Sequence, residues 1–165
     1  MLHQNVKELT LEHFTRYGAF GQMINPQADK IGEEPIEFFR DMIQLDLGGA
    51  SIASFSTCRV LQRPPVVDTT EFHMSCGELM LPLDADVLIH VGPATPGTQV
   101  PREAIEIFRV PQGTAVSIRP GVWHHAPFAL DTDCANVLIV LPERTYAKDC
   151  TVVELTGDDR IEFSA

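Results

Sequence analysis

No Cys-x-x-Cys pair occurs in this chain; its four cysteines, Cys58, Cys76, Cys134 and Cys150, stand far apart. That spacing argues against a zinc knuckle and a disulfide framework, and leaves free thiols in a reducing compartment. Basic residues are scarce, 12 Lys and Arg against 23 Asp and Glu, for a formal net charge of −11. A surface of that sign disfavours non-specific attraction to nucleic acid or to an anionic membrane, although a bound cation can reverse the sign locally. Long apolar runs are missing too. The segment ANVLIVL is among the longest, and it is far shorter than the roughly 20 residues that cross a bilayer as a helix. The N-terminal MLHQNVKELTLEHF carries charges where a signal peptide has its apolar core. Gly-x-Ser-x-Gly, phosphate-loop and dinucleotide fingerprints are absent, so nucleophilic serine chemistry and nucleotide binding have no support. A cytoplasmic protein with no nucleic-acid or membrane partner is the expectation.

What the chain does have is punctuation. With 12 Pro and 11 Gly in 165 residues, it favours many short strands over long helices. Thr10 can cap a short N-terminal helix that ends near Gly18, and residues 19–35 read as a loop. Ile43, Leu45 and Leu47 alternate as in a half-buried strand, with 52–60 as its antiparallel partner. Further strands are expected at 66–74, 78–83, 87–91, 105–110, 115–119, 126–129, 135–141 and 151–155. The segment 92–102, GPATPGTQVPR, reads as a long loop that sets the strands before and after it on opposite sides. Strands at about ten-residue spacing without helical crossovers indicate an antiparallel sandwich or barrel. The length fits a single domain over 1–165, with 1–35 as a helix and loop arm and 36–165 as the barrel.

Two stretches concentrate chemistry. In EFHMSCGE, Glu71 and His73 lie two apart and face one side of a strand, and Glu78 follows five residues later. In GTAVSIRPGVWHHAPF, a Pro-Gly turn precedes Trp123, His124 and His125. Neighbouring strand residues face opposite ways, so only one of His124 and His125 should point inward. Imidazoles with carboxylates suit a first-row divalent ion, so Glu71, His73, Glu78 and His124 are candidate ligands for nickel, manganese, zinc or iron. His125 and Glu78 are candidate proton carriers. Arg119, His90 and Trp123 are candidates for contacting substrate.

The same residues resemble the two motifs of cupins, which are double-stranded β-helix or jelly-roll barrels. The second motif runs Gly113, five residues, Arg119 in place of proline, Pro120, Gly121, two residues and His124; the first has Glu71 where a histidine is usual. The segments HFTRYG, EFH and VWHHAPF are further similar to the ureidoglycolate lyase family, which is cupin-like. Glu78 departs from that pattern, where an amide is expected, and residues 25–65 agree little. The resemblance implies an all-β cupin barrel with a short N-terminal helix, and a metal-dependent lyase that cleaves ureidoglycolate, or a similar small hydroxy-acid, to glyoxylate and urea. A metal-dependent cupin acting on a sugar or sugar acid as an isomerase, and a non-catalytic metabolite-binding barrel, are the alternative readings. A homodimer is expected, since barrels of this size often pair through exposed strands.

Overall fold

A computed structural model describes residues 1–164. In chain order the strands are β1 (Leu2–Glu8), β2 (Gly18–Gln22), β3 (Lys30–Ile31), β4 (Phe38–Phe39), β5 (Ala53–Leu61), β6 (Val66–Val67), β7 (Thr69–Phe72) and β8 (Glu78–Pro82). They continue as β9 (Val87–Val91), β10 (Glu106–Val110), β11 (Thr114–Ile118), β12 (Phe128–Ala129), β13 (Cys134–Pro142), β14 (Thr151–Glu154) and β15 (Ile161–Ser164). The helices are short: α1 (Leu11–Phe14), capped by the Thr10 hydroxyl on the His13 amide, and α2 (Thr145–Lys148). No described helix is long and apolar enough to cross a membrane.

Most strands collect into a six-stranded sheet, ordered β12-β9-β10-β1-β15-β6, and a five-stranded sheet, ordered β2-β11-β8-β13-β5. This is a jelly-roll barrel of the cupin type, as the motifs imply. The burial patterns fit the placement. β9 and β11 are buried along their whole length, including the polar His90, Thr114 and Ser117, so neither shows the alternation of a strand with one solvent face. β8 alternates buried and half-buried positions, as a strand with one face in the core should. Phe14, Tyr17, Met80, Ile89, Phe108 and Val116 fill one cluster. Phe72, Leu88, Ile105, Trp123, Phe128 and Phe163 fill a second, beneath β7 and the Trp123 segment.

Three expectations change. The segment 43–47 alternates half-buried and exposed residues but forms no ladder. Its main chain is held piecewise instead, the Ser117 hydroxyl donating to Gln44 O at 2.8 Å and the Gly77 amide to Asp46 O at 2.8 Å. The partner of β5 is β13, in register from Cys134↔Leu61 to Pro142↔Ala53. Residues 19–22, read as loop, belong with Gly18 to β2, which pairs with β11. Lastly, 92–102 does not hold the two motif stretches apart: Gly92 pairs with Trp123, and Glu71 pairs directly with His124.

Candidate metal centre

The pairing of Glu71 with His124 builds the site. The Glu71 amide donates to His124 O at 2.6 Å and the His124 amide to Glu71 O at 2.8 Å. Residues directly opposite in such a pair project to one face, and His73, two residues on, shares it. The Pro-Gly turn sets the register. Gly121 has φ +77°, Val122 N reaches Arg119 O at 3.3 Å, and the Gly121 amide donates to His73 O at 2.7 Å. That is a type II turn, which needs positive φ at its third residue and so favours glycine there.

One ligand atom from each of Glu71, His73 and His124 lies within 4.8 Å of the others. Glu78 joins them: its Oε2 is 3.1 Å from His73 Nε2 and 3.4 Å from His124 Nε2. Both histidines are buried, at 3% and 2% exposure, as is Glu78 at 6%. The far ring nitrogens fix the proton positions. His73 Nδ1 is 2.6 Å from Asp149 O and His124 Nδ1 is 2.8 Å from Val122 O. A carbonyl only accepts, so each Nδ1 carries the hydrogen, and in the neutral ring Nε2 presents a lone pair. Two such nitrogens and a carboxylate oxygen then converge as acceptors. A proton relieves one contact apiece, whereas one cation relieves them all. Carbonyl-anchored imidazoles beside carboxylates are the donor set of a divalent metal centre, so these residues fit the group.

The charges respond to this crowding. Burial pushes the Glu78 carboxyl up, but with protons on the facing Nε2 atoms, hydrogen bonds and attraction from His124 and His73 outweigh it and hold it down to about 2. Burial pushes His124 down, and its contacts with Glu78 reverse that, so its imidazole sits above its ordinary value. Burial raises the Cys150 thiol, and its hydrogen bond to Glu71 raises it further, to about 12.

A cavity of about 170 Å³ opens on the constellation, lined by Glu71, His73, Glu78, Cys58, Cys150 and Tyr146 together with apolar side chains. No Lys or Arg lines it. His124 faces the ligand cluster, while His125 is half-buried and makes no side-chain hydrogen bond among the described residues. Burial lowers the His125 imidazole against an opposing pull from Glu71. The other candidates lie elsewhere. Arg119 is exposed and lines a separate groove of about 580 Å³ with Asp41 and Asp46. Trp123 is wholly buried; its indole N–H donates to the Thr95 hydroxyl at 2.9 Å and its ring packs edge-on to Phe72. His90 is buried behind the centre, its Nε2 on the Thr70 hydroxyl at 3.1 Å, and that hydroxyl donates to His124 O at 3.2 Å.

Asp149, Cys150 and Thr70 support the centre and were not singled out from sequence. Asp149 acts on His73 through its main-chain oxygen, which no side-chain pattern reveals. Cys150 owes its place to strand pairing. It stands directly before β14, which pairs with the Glu71 strand in the register Val152↔Glu71.

No curated protein matches the chain by sequence. Among solved structures, it is similar to a dTDP sugar isomerase from Desulfovibrio desulfuricans G20, at 17% identity over 85% of this chain and 84% of that one, with TM-score 0.48. It is also similar to the 3,4-ketoisomerase QdtA from Thermoanaerobacterium thermosaccharolyticum, at 12% identity over 81% and 85%, with TM-score 0.45. A third likeness is to oxalate decarboxylase from Bacillus subtilis, at 12% identity over 62% of this chain and 24% of that one, with TM-score 0.41. The sequence profile of the ureidoglycolate lyase family matches residues 2–162. A match over nearly the whole chain, from β1 into β15, means that the chain belongs to the ureidoglycolate lyase family, a family of enzymes.

Proposed function

We propose that this protein is a divalent-metal-dependent lyase that cleaves ureidoglycolate, or a small hydroxy-acid like it, releasing urea and glyoxylate. The observation that carries the reading is the convergence of Glu71, His73, Glu78 and His124, of which Glu71, His73 and Glu78 line one small cavity. At about 170 Å³ the cavity falls below the ~300–1,000 Å³ of pockets for drug-sized ligands, which favours a substrate of few heavy atoms. It offers no Lys or Arg to a carboxylate, so the anionic end of the substrate depends on the metal for its counter-charge.

Glu71, His73, Glu78 and His124 hold the ion. When bound, it supplies Lewis-acid polarisation of the substrate's hydroxyl and carboxylate oxygens. Glu78 directs Oε2 at both imidazoles, and its other oxygen, Oε1, would take the carbinol proton. The electron pair released from O–H forms the aldehyde C=O, the C–N bond breaks, and the departing nitrogen takes a proton from His125. The apolar wall limits water around the reacting carbon.

Urea release from ureidoglycolate by metal-replete protein tests this directly. Urea and glyoxylate should appear in equal amounts and vanish with Glu71→Ala or His124→Ala. A metal-loaded wild type that yields no urea would overturn the reading.

The protein also acts as a homodimer in this reading, for which β5 gives the reason. It pairs on one side only, and it exposes Phe55 at 71% and Leu61 at 58%; a long exposed edge with apolar side chains invites a second copy. Sedimentation equilibrium should return twice the chain mass, and Phe55→Glu should return one; a monomeric wild type refutes the dimer.

A further inference from the structure

The segment after α2 reaches the centre at several points. Asp149 O takes the Nδ1 hydrogen of His73 at 2.6 Å, and the Cys150 thiol donates to Glu71 Oε2 at 3.1 Å. The Asp149 carboxylate accepts the amides of Met74 at 3.0 Å and Ser75 at 2.7 Å, the two residues that follow His73. Two adjacent residues therefore hold both ligands of the first motif and the turn leading to Glu78. The pair is itself anchored at either end. The Asp149 amide closes the last turn of α2 on Thr145 O at 2.8 Å, and Thr145 is buried with its hydroxyl on Pro142 O at 2.9 Å. On the other side Thr151 enters the β14–β7 ladder opposite Phe72. A carboxylate ligand held by a donor loses rotational freedom and keeps its lone pair directed, as an imidazole does when its far nitrogen is held.

We propose that Asp149–Cys150 is a clasp that positions the metal ligands, in which the Cys150 thiol orients Glu71 from outside the coordination sphere and is not itself a ligand. The clasp rests on the metal-centre reading above, and it assigns Cys150 a positioning role that a hydroxyl can replace and an apolar side chain cannot.

Titration of metal-free protein with Co(II), followed by visible and near-ultraviolet absorption, tests it without a turnover assay. Cys150→Val loses the donor and adds roughly one methyl group, and Cys150→Ser keeps a donor. Affinity for Co(II) should fall about 10- to 100-fold in Cys150→Val and stay within a few-fold of wild type in Cys150→Ser, with no thiolate-to-cobalt charge-transfer band in any protein. Metal-free melting temperatures establish that each variant folds; should Cys150→Val not fold, Cys150→Ala carries the same expectation. Unchanged affinity in the donor-less variant overturns the clasp alone. A charge-transfer band in wild type that is lost in Cys150→Ser makes Cys150 a ligand and also overturns it. A wild type that binds no Co(II) refutes the metal-centre reading and the clasp with it.

Discussion

His73 and His124 divide their nitrogens in the same way, Nδ1 toward a main-chain carbonyl and Nε2 toward Glu78. That division separates them from His90, also wholly buried, whose Nε2 meets a hydroxyl and whose Nδ1 meets nothing; burial lowers its pKa well below the ordinary histidine value. Sequence spacing distinguished these histidines only in part. The two-residue step from Glu71 to His73 gives a shared face on any strand, so their meeting was legible; that one of His124 and His125 would turn inward followed from alternation, but not which. Where Arg119 and Trp123 point was not, because each flanks a type II turn that redirects the chain between them. Glu78 carries the sharpest residue-level test. Glu78→Gln keeps the shape but removes the charge that faces both imidazoles, and it should lower the rate of urea release on the order of 10²–10⁴-fold. Steady-state assays at saturating metal measure this, and a rate within a few-fold of wild type would remove Glu78 from the proposed chemistry.

The elements are tied together by a second polar cluster, away from the cavity. Glu106 on β10 accepts from Lys7 of β1 at 2.6 Å and from the Tyr17 hydroxyl at 2.8 Å, and it also pairs with Arg16. Burial pushes the Glu106 carboxyl up, but Lys7, Arg16 and Tyr17 outweigh it and hold it below its ordinary 4.5. A carboxyl depressed on folding contributes stability that is present above its unfolded value and is lost as pH falls through the folded one. Glu106→Gln should therefore lower stability at neutral pH by about 1–3 kcal/mol, with the gap closing below roughly pH 4. Denaturant midpoints across that range check it; a gap that persists in acid would mean the loss is one of packing. Parallel pairing of β1 with β10 and β15 could not be read from Leu2–Glu8, because alternation shows a half-buried strand without naming its neighbours. The same limit explains 43–47. Its apolar residues are half-buried, as the alternation says, but its main chain is held by Ser117 and Gly77, and β5 pairs with β13 instead.

At the scale of the molecule, the chain carries a net charge of −11, and its site sets a buried carboxylate, Glu78, and a half-buried one, Glu71, beside two buried imidazoles. A cation bound among those carboxylates offsets their charge. Metal should accordingly stabilise the fold, by about 2.7 kcal/mol at a concentration a hundredfold above its Kd. The barrel was legible from strand count and turn spacing, and the site from two short motifs. The clasp and the Glu71–His124 pairing were not, since contacts between segments far apart in the chain leave no local pattern. Counting bound ions tests the common premise most directly, by equilibrium dialysis of metal-free chain against Mn(II) followed by elemental analysis. A single ion per chain, lost when His73 and His124 are both changed to alanine, is the expected result. No bound ion in the wild type, or equal loading of the double variant, would contradict it.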